Sequence, residues 1–179
     1  MSQSPLQTVA KVDLQRYVGK WYEIARIPNR FEKKCDRDVV AEYGLANGSI
    51  SVINKCVKPN GKTATSQGRA KVVDAETNAK LKVTFFWPFY GNYWIIGLDP
   101  EYRWAIVGEP SGKYLWILSR SPSLSRDTMQ ALVHVVNHCG YQASKLIYTR
   151  QSEAARRKIL AFPSISGVLR NPRTKKIYR

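Results

Sequence analysis

His134 and His138 lie four residues apart with Cys139 beside them, the most suggestive metal spacing in this 179-residue chain. On a helix such positions share a face, and two imidazoles there can hold zinc. No third ligand follows at a metal-binding spacing, and the glutamate of an H-E-x-x-H pair is missing. A solvated helix face is the better reading, with no metal. The chain has no G-x-S-x-G, no phosphate-cradling glycine loop and no dinucleotide fingerprint. Asp99 and Glu101 fall on a turn signal, where an exposed acid costs little. No catalytic residue, no cofactor and no enzymatic turnover are expected.

Three cysteines leave at least one thiol unpaired. A hairpin at Asn47-Gly48 puts Cys56 opposite about Val39, a few residues from Cys35. A bulge or curled loop would close that gap, so a Cys35–Cys56 disulfide is open. It would imply an oxidising compartment. Cys139 is then the odd thiol, half buried at a helix end.

Charge is distributed unevenly. The net charge is +16, and from Arg150 onward nine basic residues face Glu153 alone, which is half of that excess. Residues 152–179 are therefore read as a basic, largely disordered extension. Such a tail can hold an anionic membrane surface. No RNA- or DNA-binding motif accompanies it, so nucleic acid is not expected. No stretch approaches the roughly 20 apolar residues of a membrane helix. Met1–Pro5 shows no basic and apolar leader, so no signal peptide is visible and a cytoplasmic start stays open.

These residues need a scaffold, and the pattern supplies mostly strands. Residues 1–12 read as a polar arm, and 13–151 as one domain. Short apolar runs cover about 21–26, 39–46, 49–56, 65–73, 81–87, 93–98, 104–107 and 114–120. Turns are expected at 47–48, 59–61, 89–92, 99–100 and 110–112. Eight strands on short connections imply antiparallel neighbours that close as an up-and-down β-barrel. After Pro122 the period changes: Ser123 or Ser125 caps a helix striped by Met129, Leu132, Val133 and Val136, and Gly140 stops it. Residues 144–149 read as a short ninth strand.

Gly19-Lys20-Trp21-Tyr22-Glu23-Ile24-Ala25-Arg26 resembles the G-x-W signature that opens the first strand of the lipocalins. Leu98-Asp99-Pro100-Glu101-Tyr102 stands at the family's second motif, and Ser119-Arg120 at its third. The segments 114–120 and 29–32 resemble the bacterial lipocalin and apolipoprotein D branch. The resemblance covers roughly residues 12–151 and implies a barrel with a C-terminal helix packed outside.

One end of such a barrel must be plugged. Gly19, Trp21 and Arg120 are expected to close it, with the guanidinium over the indole adding on the order of 1–2 kcal/mol. Strand alternation then puts Leu118 and Trp116 inside with Arg120, and Glu23 and Ala25 inside with Trp21. Tyr43 shares a face with Ala41, Val52 with Asn54, and Phe85 with Val83. The apolipoprotein D branch implies Tyr43, Asn54, Lys58 and Trp116 as ligand-facing, with Lys58 standing where that branch has arginine.

The resemblance implies storage or transport of a fatty acid or lysophospholipid in membrane maintenance, and it leaves a homodimer open. It also implies a periplasmic or outer-membrane setting, although the anchoring cysteine of bacterial members has no counterpart before Cys35. The alternative function is a basic surface-binding module working through the tail.

Overall fold

The computed structural model describes residues 5–160 apart from Asn47. Eight strands form the barrel: β1 (Gly19–Arg26), β2 (Arg37–Ala46), β3 (Ser49–Val57), β4 (Thr63–Val72), β5 (Lys80–Phe86), β6 (Phe89–Leu98), β7 (Trp104–Gly108) and β8 (Leu115–Ser119). Each pairs antiparallel with its neighbour in sequence, and β1 closes the circle by pairing with both β8 and β2. The expected up-and-down barrel is the observed fold. A ninth strand, β9 (Ile147–Tyr148), adds to the free side of upper β1.

Alternation sorts the apolar residues into two cores. Trp21, Ile50, Val52, Ala70, Leu81, Ile95, Val107 and Leu118 face the interior, with Tyr43, Tyr93 and Trp116 packed against them. Tyr22, Ile24, Ile96, Ile106, Leu115 and Ile117 face outward, and there they meet the helix α2 (Arg126–His138). Ser125 is its N-cap, its side chain accepting from the Thr128 amide. Leu132 and Val136 are fully sequestered against the barrel, each contributing roughly 1.5–3 kcal/mol. Gly140, at φ +84°, ends the run in the left-handed region. His134 and His138 lie exposed on this helix.

Three boundaries differ from expectation. The β5–β6 turn is Trp87-Pro88, a cis peptide, rather than 89–92, because Phe86 pairs across to Phe89 and β6 starts four residues before its alternation suggests. The arm is less polar than its composition: Val12 is fully buried, and the amides of Val9 and Val12 donate to Ile95 O and Thr77 O. It leads into a single helical turn, α1 (Leu14–Tyr17), capped by Asp13, which the strand pattern does not reveal. The ninth strand shrinks to two residues because 143–145 form a tight turn instead. A basic helix, α3 (Glu153–Leu160), follows the domain. The expected disorder of the tail falls largely on residues 161–179, outside the described residues.

Strand direction gives the barrel two unlike ends. Loops 27–36, 58–62, 87–88 and 109–114 cluster at one, and Gly48 and turns 73–79 and 99–103 at the other. The second end carries α1 and the N-terminal arm.

Candidate functional site

The end that holds α1 is plugged. Arg120 lays its guanidinium 3.8 Å from the Trp21 ring centre. It also donates to the carbonyls of Arg16, Val18 and Lys20 at 2.7, 3.0 and 2.9 Å. Trp21 Nε1 donates to Tyr17 O at 2.8 Å, so the indole, α1 and β8 are locked together. Gly19 lies where a Cβ would come 3.3 Å from the Arg120 guanidinium. The Gly19, Trp21 and Arg120 expected to close the barrel therefore converge at one end.

Above the plug stands a chain of phenols. Tyr17 and Tyr93 hydroxyls lie 2.8 Å apart, and Tyr93 donates on to Tyr43 at 2.9 Å. Burial holds the Tyr43 hydroxyl proton up to about 12, and raises those of Tyr17 and Tyr93 well above the ordinary value. All three are neutral at physiological pH, so the lower barrel is aromatic, hydrogen-bonded and uncharged.

The upper interior is different. In β1 the register against β8 slips between Glu23 and Ala25, a β-bulge. Ile24 and Ala25 consequently both pack in the outer core, and Arg26 turns inward opposite Trp116. Ala25 is thus not a lining residue: strict alternation fails at that bulge, and Arg26 takes the place it was expected to hold. Glu23, opposite Leu118, keeps its inward position.

Arg26 forms a buried ion pair with Glu23 through Nη1 and one with Glu32 through Nε at 3.2 Å. Thr149 donates its hydroxyl to Glu23 as well. Trp116 Nε1 donates to Glu32 Oε1 at 2.8 Å. Glu32 arrives from loop 27–36, where Asn29 Oδ1 accepts the Phe31 and Glu32 amides and turns the chain over the mouth. Burial, and next to it the neighbouring Glu32, raise the Glu23 carboxyl well above the usual carboxylate range. Gln151 closes the seam where β1 leaves β2, donating to Glu23 O and Val39 O.

Val52 and Asn54 line the facing wall on β3, opposite Tyr43 and Ala41. Asn54 Oδ1 is buried with no hydrogen-bond partner among the described residues, an acceptor open to a donor from a guest. Phe85 packs against Gly68, where a Cβ would fall 2.8 Å from its ring and 2.5 Å from Thr84 O. Lys58 sits half buried in the β3–β4 turn at the mouth, outside the cluster around Trp116. Cys35 and Cys56 are bonded, with Cα atoms 5.6 Å apart. The bulge between Arg37 and Val40, with Asp38 at φ +53°, draws Cys35 level with β3. Cys139 is the free thiol, half buried at the end of α2.

Arg26, Glu32, Tyr17 and Tyr93 belong to the interior without having been singled out. Tyr93 carried a legible signal, since it shares parity with Ile95 on β6, whereas Tyr17 sits on a helical turn that the strand pattern does not reveal. Arg26 and Glu32 carried no such signal, because their positions depend on a bulge and on a loop folded back over the opening.

A plugged, antiparallel eight-stranded barrel with a helix on its flank defines a lipocalin. The chain belongs to that family: the lipocalin-like domain model matches residues 12–151. It is 46% identical over 145 residues to the outer membrane lipoprotein Blc of Escherichia coli K12, covering 80% of this chain and 81% of that one. It is 40% identical over 157 residues to temperature-induced lipocalin-1 of Arabidopsis thaliana (83% and 84%) and 35% over 151 to apolipoprotein D of Mus musculus (78% and 77%). Among solved structures it is similar to insecticyanin from the tobacco hornworm Manduca sexta, with a TM-score of 0.70, 27% identity, and 86% and 88% of the two chains covered.

Proposed function

We propose that this lipocalin stores or transports a single fatty acid or lysophospholipid in its barrel, in the service of membrane maintenance, and catalyses nothing. The observation that carries the reading is the polarity of the interior. An aromatic floor of Tyr17, Tyr43 and Tyr93 meets a charged collar of Glu23, Arg26 and Glu32 at the mouth. An acyl chain suits the floor, each buried methylene adding roughly 0.8 kcal/mol. A polar head suits the collar, where Trp116 and the orphaned Asn54 oxygen offer further contacts, with Lys58 farther out on the rim. The carboxylates are already engaged by Arg26, Thr149 and Trp116, so no free acid–base pair faces a guest.

The setting proposed is the cell envelope. Relatives at 46%, 43% and 38% identity are named outer membrane lipoproteins, and a disulfide suits an oxidising compartment. The test is native mass spectrometry of delipidated protein refilled with an equimolar mixture of fatty acid and lysophospholipid. One adduct per barrel, of either mass, supports the carrier. A folded protein that takes up neither overturns it.

A further inference from the structure

Among the described residues, the most exposed large apolar side chains sit together at the tip of the β5–β6 hairpin. Phe86 and Trp87 are each 81% exposed and Phe89 is 79%, with Tyr90 at 42% beside them. The tip stands at the end of the barrel opposite the plug, with loops 27–36, 58–62 and 109–114. A soluble domain rarely leaves three large rings so bare without a partner.

Charge tells which partner. The three neighbouring loops hold six cations, Arg30, Lys33, Lys34, Lys58, Lys62 and Lys113, against three acids. Every one of those acids is already engaged. Glu32 is turned inward to Arg26 and Trp116, Asp36 is paired with Arg37 and Arg150, and Glu109 accepts from Ser111, Lys113 and Tyr114 in its own loop. None of the six cations makes an ion pair with an acid among the described residues. The plugged end is near balance instead: turns 73–79 and 99–103 hold Asp74, Glu76, Asp99 and Glu101 against Arg103, and the arm, α1 and the plug add Asp13 with Lys11, Arg16, Lys20 and Arg120. The excess of cations without an acid partner lies at the mouth.

Aromatic rings with a Trp at the centre belong at the headgroup level of a bilayer, and a surrounding ring of lysines favours anionic lipid. We infer that the protein docks mouth-first on an anionic lipid bilayer, with Phe86, Trp87 and Phe89 inserted among the headgroups and the basic rim resting on them. The rim cations each multiply partitioning by about fivefold near a charged surface. This goes beyond the carrier reading. It concerns the outer tip and not the cavity, so either can fail alone.

The test is flotation of the full chain with vesicles of phosphatidylcholine, with and without phosphatidylglycerol, alongside emission quenching by lipids brominated near the headgroup. Wild type should float with the mixed vesicles and be quenched. The variant F86S/W87S/F89S should bind about tenfold less or worse, and Lys33→Glu with Lys34→Glu should weaken binding by about 25-fold or more. A circular-dichroism spectrum and urea midpoint equal to wild type check that the triple variant is folded. Trp87→Phe should still float but lose most of the quenching. Flotation of the triple variant equal to wild type would overturn the inference and assign the membrane contact to the basic C-terminal segment. Undiminished quenching in Trp87→Phe would overturn it too. So would sedimentation showing that the triple substitution only dissolves a dimer while vesicle binding persists, which would assign the tip to a second copy of the chain.

Discussion

Replacing Arg120 by lysine keeps the positive charge and removes the planar fork. In the structure the guanidinium reaches the carbonyls of Arg16, Tyr17, Val18 and Lys20 between 2.7 and 3.1 Å, and stacks on Trp21. An ammonium on the same stem can reach two of these carbonyls at once, not four, and it cannot lie flat on the indole. Two lost charge-assisted bonds and a diminished ring contact sum to about 4 kcal/mol at full strength. Arg120 is only half buried, and water takes over part of what lysine leaves, so about 2–3 kcal/mol is expected. Urea unfolding followed by circular dichroism reads this as a midpoint lower by about 1 M at unchanged slope. A loss under about 0.5 kcal/mol would refute the plug as a locked unit, since the carbonyls would then be satisfied without the fork.

Four further outcomes follow from the same geometry. Tyr141→Phe should cost about 1–3 kcal/mol in the same urea assay, because the Tyr141 hydroxyl is the partner of both the amide and the carbonyl of buried Glu109, each at 2.8 Å. Asp99→Asn should cost about 2 kcal/mol at neutral pH, since buried Asp99 accepts from Arg103 Nε and Nη2 and from two amides. Arg103 holds the Asp99 carboxyl below the usual range, so its contribution is present above the ordinary carboxylate pKa and is lost as pH falls through the folded value. Glu23 behaves oppositely: its folded pKa is raised, so its contribution is full in acid and lost as pH rises through that value. Glu23→Gln should therefore match wild type in acid and become relatively more stable as pH rises, read from thermal unfolding across a pH series. Reducing Cys35–Cys56, which closes 21 residues, should cost about 3 kcal/mol on the chain-entropy estimate, measured as the fall in unfolding free energy with dithiothreitol.

The barrel was legible because its evidence is local and repeated. Alternating runs, the Asn47-Gly48 hairpin and the single change of period at Ser125 each report on a few neighbouring residues, and all agree. Trp21 and Arg120 were legible as partners because a barrel needs one end shut. The collar was not legible. Alternation carried from Trp21 through Glu23 reaches Ala25, and only the register against β8 reveals that Ile24 is extra and that Arg26 points inward. Glu32 lies in a loop whose return over the mouth depends on Asn29 accepting two amides, which no period records. The bare tip escaped for a related reason. Phe86 and Phe89 read as the end of one strand and the start of a turn, whereas the chain reverses at Trp87-Pro88 and holds the rings out to solvent.

The measurement that tests the central claim most directly is a tryptophan-emission titration of delipidated protein with a fatty acid and with a lysophospholipid. Saturable one-to-one binding is expected, weakened roughly tenfold by Trp116→Ala and by Tyr43→Ala, whose rings line the upper and lower barrel. A folded barrel that binds neither lipid, or binding that both substitutions leave unchanged, would contradict the carrier role.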